Sequence, residues 1–265
     1  MICLKVFRKN LKRRYNSRLQ NKEIMQQKRQ SYSFQIQPQF VDFQFKATMA
    51  SLGDILLTTA GFNADDNGFG LRRLHEMESA WVLSRMAIEM TRYPEQYENI
   101  HVETWIEDVG RANTTRNFCI RDEKHEIIGN ACTVWVFFDM KTRHAKDLQT
   151  LDGIHEFANG EVGLIEKPIK LGTVEGEDYD GFKVKYSDID INGHVNSIRY
   201  IQWVSDCFSL DCYRKCSVKR FEINYMNEML FDDFVDIVGH QSEPGDFRFE
   251  IRKENKTACR ARVVF

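Results

Sequence analysis

The sequence predicts an α+β fold made of two tandem copies of one unit, an antiparallel sheet wrapped around a long helix. Three observations predict it. The order strand, helix, four strands occurs twice, at a spacing of roughly 145 residues. The strand runs alternate with period two and are rich in Val, Ile, Phe and Trp, whereas the segment after each first strand carries a helical period. The 265 residues are 42% hydrophobic, with 19 Phe, 9 Tyr and 4 Trp, enough to fill a core spanning two such units.

Folding signals begin near Ser31. Phe34, Ile36, Phe40, Phe43 and Phe45 suggest extended structure, interrupted at Pro38. TMASLGDILLTTAG (48–61) then places Met49, Leu52, Leu56 and Ala60 on one helix face, with Thr48 as N-cap and Gly61 as the stop. DDNGFG (65–70) is turn chemistry. Four strands follow at 81–90, 100–106, 113–121 and 127–139, the last with the β-prone run TVWVFF, and a first domain is predicted over 31–140. Residues 141–180 lose this regularity and read as a linker with one short helix around 152–159. The second domain, 181–265, repeats the order: a strand with Phe182, Val184 and Tyr186, then a helix entered at about Val195. Its stripe is Val195, Ile198, Ile201, Val204 and Phe208, and Cys207 fits the same apolar side. Strands at 220–225, 234–239, 247–252 and 257–265 complete it.

Composition excludes several classes. No run of about 18 apolar residues is present, so no membrane span is predicted. Seven cysteines, an odd number without a CxxC pair, point to a reducing compartment, and the cytoplasm is the expectation. Cys207, Cys212 and Cys216 lack a His or fourth Cys at zinc spacing, so no metal is expected. Residues 1–30 hold ten Lys or Arg against one acid, a net +9, so the rest of a chain of net −2 carries −11. A basic arm on an acidic body is compatible with a nucleic-acid tail, but with only Phe7 and Tyr15 interleaved no nucleic-acid partner is expected. A disordered leader, a start at Met25 and an organelle presequence, which would mean a plastid, stay open.

The chemistry concentrates between Tyr186 and Leu210, YSDIDINGHVNSIRYIQWVSDCFSL, where the strand pattern gives way to the helical one. No GxGxxG, P-loop, HExxH or GxSxG is present. Asp190, Asn192 and His194 stand at i, i+2 and i+4, which in extended geometry puts them on one face. A histidine beside a carboxylate can deprotonate water, and an Asn side chain or the amides of a helix start can hold an oxyanion. Asp188 and Asn196 are ordinary turn and cap residues. The first half reads FVDFQFKATMASLGD at the matching place and offers no His, so the chemistry belongs to the second half.

DIDINGHVNSIRYIQWV resembles the DxDxNxHVNxxxYxxW signature of acyl-[acyl carrier protein] thioesterases of plant plastids and many bacteria. The resemblance runs from about Ser31 to Phe265 and includes GFG (68–70), WVLSRMAIEMTRYP (81–94), VETW (102–105) and VWVFFDMKTR (134–143). It implies two tandem hotdog domains. It also implies hydrolysis of a fatty acyl thioester on the phosphopantetheine of acyl carrier protein, with no cofactor. The family's catalytic Asp, Asn and His fall on Asp190, Asn192 and His194. Its Glu, in a Y-R-R-E-C segment, falls on Glu228 of Tyr225-Met226-Asn227-Glu228-Met229. The two arginines are absent, and Met229 stands where the family has cysteine, so a covalent cysteine mechanism there is excluded. Asp190 would support His194 or attack the carbonyl itself. The first domain would supply an acyl tunnel, with Leu52, Leu56, Trp81, Leu83 and Met86 as lining. The acidic carrier would dock on Arg72, Arg73, Lys141, Arg143 or Lys146. An acyl-CoA thioesterase and a non-enzymatic acyl-thioester sensor are the alternatives, and a homodimer stays open.

Overall fold

The structure, a computed structural model, describes residues 28–254 and 256–265, so most of the basic leader, including Met25, lies outside the described residues. Its last residues do not. Lys28 donates to the Ala158 carbonyl, Arg29 stacks 3.8 Å over the Trp105 ring, and Gln30 begins the first strand.

The first half comprises β1 (Gln30–Gln35), α1 (Met49–Asp66), α2 (Leu71–Glu76), β2 (Ser79–Met90), β3 (Asn99–Val109), β4 (Asn113–Arg121), β5 (Ile127–Asp139) and the short β6 (His144–Ala145). The second comprises β7 (Glu177–Lys183), α3 (Ser197–Asp206), α4 (Leu210–Lys215), β8 (Arg220–Tyr225), β9 (Phe234–Glu243), β10 (Asp246–Lys253) and β11 (Lys256–Val264). The strands form one sheet in the order β1-β3-β4-β5-β2-β8-β11-β10-β9-β7, with β6 on β5. The second half repeats the order of the first in reverse, so the halves meet through equivalent strands. Met86 of β2 lies opposite Ile223 of β8, and Ile88 opposite Phe221. This is the predicted fold: two hotdog units fused into a continuous antiparallel sheet.

The helices α1 and α3 pack against each other. A Cβ at Gly53 would stand 3.0 Å from Ile201 Cδ1 and 3.1 Å from Ile198 Cδ1, so this glycine lets the two helices approach. One apolar cluster then takes residues from both halves, including Leu52, Leu56, Met86, Ile201, Phe221 and Phe249. Burial of that shared surface is what couples the halves.

Several boundaries differ from expectation. The helix α1 runs through Gly61 to Asp66, because buried Asn63 and Ala64 extend its packed face; the reversal falls at Gly68, with φ +81. Six residues after that turn form α2, which the short LRRLHE segment does not reveal by periodicity. Phe40 lies in a 3₁₀ turn, and Phe43 and Phe45 sit exposed in the turn that follows rather than in a strand. Tyr186, 88% exposed, belongs to another 3₁₀ turn, since β7 has already ended at Lys183. The helix α3 starts at Ser197, not Val195, with Asn196 accepting from the Ile198 amide, and Cys207 falls one residue past its end. Thr48 caps α1 as predicted, its Oγ1 accepting from the Ser51 amide at 3.1 Å.

Between β6 and β7, both of which intrude on it, the predicted linker is irregular but anchored. Its backbone amides at Ile169, Leu171 and Val174 donate to side chains of Glu222, Asn224 and Glu250 on strands of the second half. Side chains of the sheet thus satisfy groups that a regular element would satisfy internally. The predicted short helix is a 3₁₀ turn, Ile154–Phe157.

Candidate active site

The residues expected to carry the chemistry are held by a tight turn. Asp190 Oδ1 accepts the amides of Asn192 at 2.8 Å and His194 at 3.2 Å. The Asp190 amide donates to the His194 carbonyl at 2.8 Å, and Gly193 bends the chain back with φ +80. An aspartate that ties its own following amides is a turn-forming group, and glycine takes the left-handed position without strain. The Val195 amide donates to the Met229 carbonyl at 2.9 Å, which clips the loop after β8 to this turn. That clip brings Glu228 to His194, with Nε2 3.3 Å from Oε2.

A third group completes the cluster. Arg143, in the β5–β6 turn, donates Nη2 to the same Glu228 Oε2 at 2.5 Å. Arg143 and Glu228 are 57% and 44% exposed, so this pair contributes orientation more than stability. Two expectations change here. Asp190 makes no hydrogen bond to the His194 ring among the described residues; the carboxylate beside the imidazole is Glu228. Arg143, expected on a docking patch, is engaged in the site.

Below this cluster opens a cleft of about 410 Å³ in the first half. Asn192, His194, Glu228 and Arg143 line it, whereas Asp190 does not. Its apolar walls include Leu57, Ala60 and Ala64 of α1, Phe69, Leu74 and Trp81. The Trp81 indole N–H is satisfied by the Phe69 carbonyl at 3.1 Å. Of the five predicted lining residues, only Trp81 is on this wall. Leu52, Leu56, Leu83 and Met86 are packed into the shared core, between 0% and 6% exposed. Because α1 buries nearly its whole length, an apolar stripe does not distinguish the side facing the core from the side facing the cleft.

The first half repeats the turn without its chemistry. Asp42 Oδ1 accepts the Gln44 amide at 2.8 Å and the Lys46 amide at 3.2 Å, and Asp42 N–H donates to the Lys46 carbonyl at 2.8 Å. The Ala47 amide donates to the Pro94 carbonyl at 2.9 Å, matching Val195 and Met229. Gln44, Lys46 and Tyr93 thereby occupy the places of Asn192, His194 and Glu228, and line a second cleft of about 510 Å³. Burial pushes the Tyr93 hydroxyl further above its ordinary range. No imidazole–carboxylate pair faces that second cleft among its lining residues. The aspartate turn persists where no imidazole follows it, which marks it as a device of the fold.

Comparison with known proteins agrees with this architecture. Models of the acyl-ACP thioesterase N-terminal and C-terminal domains match residues 27–152 and 173–265. The chain belongs to the acyl-ACP thioesterase family. It is 38% identical to an acyl-ACP thioesterase from Bacteroides thetaiotaomicron of known crystal structure, over 91% of this chain and 99% of that one, with a TM-score of 0.86. It is 28% identical to the chloroplastic oleoyl-acyl carrier protein thioesterase 2 of Arabidopsis thaliana over 76% of this chain. The 12:0-ACP thioesterase of Umbellularia californica, at 20% identity and a TM-score of 0.76 over 89% of this chain and 96% of that one, shares the fold. The chain spans 56% and 59% of the length of two curated plant relatives it matches.

Proposed function

We propose that this protein hydrolyses the thioester of a fatty acyl group carried on acyl carrier protein, releasing the free fatty acid and the holo-carrier. The observation that carries this reading is the His194–Glu228 pair at the polar end of an apolar cleft. The acyl chain enters the cleft of the first half, and the second half supplies the reacting groups. Glu228 Oε2 is taken by His194 and Arg143, which leaves Oε1 to accept a proton from water. The hydroxide so formed attacks the carbonyl carbon. Asn192 donates its side-chain N–H to the tetrahedral oxyanion, the C–S bond breaks, and the proton held by the pair passes to the leaving pantetheine thiolate. Asp190 holds the turn on which Asn192 and His194 are displayed, which favours a supporting role over direct attack.

The carrier is acidic, and the rim of the cleft is its docking surface. Arg72 and Arg73 are exposed on α2, and Lys141 is exposed in the β5–β6 turn, all beside the cleft wall. Lys146 is less available, since its ammonium donates to Ser79 Oγ at 2.9 Å. Turnover of matched dodecanoyl-carrier and dodecanoyl-CoA substrates tests the assignment. The carrier substrate should have the higher kcat/KM, and that advantage should shrink as salt screens the rim. A preference for CoA that salt leaves unchanged would replace the carrier reading with an acyl-CoA one.

A further inference from the structure

The cleft faced by Gln44, Lys46 and Tyr93 is built like the one faced by Asn192, His194 and Glu228, with α3 and α4 in the places of α1 and α2. Trp203 of α3, Leu210 and Tyr213 of α4, Val218, and Met49 and Ala50 at the start of α1 supply its apolar wall. Its volume of about 510 Å³ lies within the range of small-molecule sites. Helix α1 lines both clefts, with Ala50 on this one and Ala60 on the other, about 15 Å apart along the helix. The two are separate sites.

They differ at the polar end. Where His194 stands in the other cleft this one has Lys46, half-buried in the lining. Among the described residues the Lys46 ammonium pairs with no carboxylate and donates no side-chain hydrogen bond. Where Glu228 stands there is Tyr93, whose hydroxyl donates to the Val218 carbonyl at 2.8 Å. A phenol held in that way, and pushed further from ionisation by burial, takes no proton from water. Arg199 is already engaged by the Ser187 carbonyl and the Gln202 side chain, both at 2.6 Å, and Asp42 by its own turn. Asp206, the last residue of α3, is the remaining lining charge, so an anion in this cleft belongs at Lys46 and away from Asp206.

We propose that this cleft is a second, non-reacting site that binds an aliphatic carboxylate, its head on Lys46 and its chain along Trp203 and Tyr213. Position decides the chemistry. The place of Lys46 is the place where an acyl carbonyl meets His194 in the other cleft, so a chain seated in the same way brings its polar head to the ammonium. A lysine ammonium holds an anion by charge-assisted hydrogen bonds and has no lone pair with which to take a proton from water. The cleft therefore keeps the shape of an acyl site and loses its reactivity. The choice of ligand, a free fatty acid, rests on the hydrolase reading above, whereas its binding needs no turnover.

The test is calorimetric titration of the full chain with dodecanoate, for wild type, Lys46→Met, Lys46→Arg and Asp206→Asn, with melting curves for each. Wild type should bind two equivalents, one per cleft. Lys46→Met should weaken one of them by at least about tenfold and leave the other, and Lys46→Arg should keep both. Dodecanol, with the same chain and no charge, should lose the same equivalent. The turn is held by the backbone groups of residue 46, so the Met protein is expected to fold; Lys46→Gln serves if it does not. Asp206→Asn should not weaken the second equivalent, and a loss there would overturn the proposal. So would dodecanoate binding that neither Lys46→Met nor Lys46→Gln changes. A dimer that Lys46→Met abolishes, with dodecanoate shut out of this cleft, would give the cleft to a second copy of the chain and overturn it as well. Turnover of dodecanoyl-carrier substrate by Lys46→Met should match wild type within about twofold, which separates this cleft from the reacting one. If wild type hydrolyses no substrate, the hydrolase reading fails, and the count of bound dodecanoate still decides for or against the second site.

Discussion

Asp190 shows how a residue conspicuous in a motif can act on the backbone. Its carboxylate is held by the amides of Asn192 and His194, and Asp42 makes the same bonds where no imidazole follows. An asparagine oxygen can accept the same amides, whereas it cannot attack a thioester. Asp190→Asn is therefore expected to keep most of the hydrolytic rate, and Asp190→Ala to lose rate together with about 1–2 kcal/mol of stability. Loss of turnover in a fully stable Asp190→Asn protein would instead identify a nucleophile. Spacing alone singled out Asn192 and His194, whereas Glu228, 34 residues beyond, was singled out only by the resemblance of its segment to the family's; the fold brings the three to one cleft. The placing of Arg143 beside Glu228 was not legible. The two are far apart in sequence, and only the folded sheet brings them together.

At the scale of elements, periodicity located β2 to β5 and β8 to β11 because each alternates against a packed face, whereas the exposed β7 begins before its predicted place and the two-residue β6 was missed. It failed where length or packing gave no period: the six-residue α2, the 3₁₀ turns, and the last turn of α1. Gly61 resembled a helix stop but lies in open space within the helix. The informative glycine is Gly53, where a side chain would meet Ile198 and Ile201. Gly53→Leu should cost about 1–3 kcal/mol by forcing α1 and α3 apart, readable as a lower denaturation midpoint.

Across the whole molecule, the linker and the second half are joined through a buried charge network. Burial raises the Glu250 carboxyl, but the guanidiniums of Arg260 and Arg252 and the Val174 amide more than offset it and hold the pKa below its ordinary value. A depressed carboxyl stabilises the fold above its unfolded pKa and loses that contribution as pH falls through the folded value. Wild type should thus weaken below the ordinary carboxylate range. Glu250→Ala should be less stable by about 3–5 kcal/mol at neutral pH and show a flatter acid limb in urea titrations at stepped pH. The duplication itself was legible from the repeated order of elements. The lining of the cleft was less so, because Leu52, Leu56, Leu83 and Met86 face the core that both halves share, and the apolar stripe does not tell that side from the cleft side.

In the proposed reaction the His194–Glu228 pair activates water for thioester hydrolysis. Thiol release from dodecanoyl-carrier substrate by wild type and His194→Ala, compared at equal folded concentration, tests it most directly. A fall of about 10²–10⁴ in kcat, with an unchanged melting curve, is the predicted result. Release by His194→Ala at the wild-type rate would contradict it.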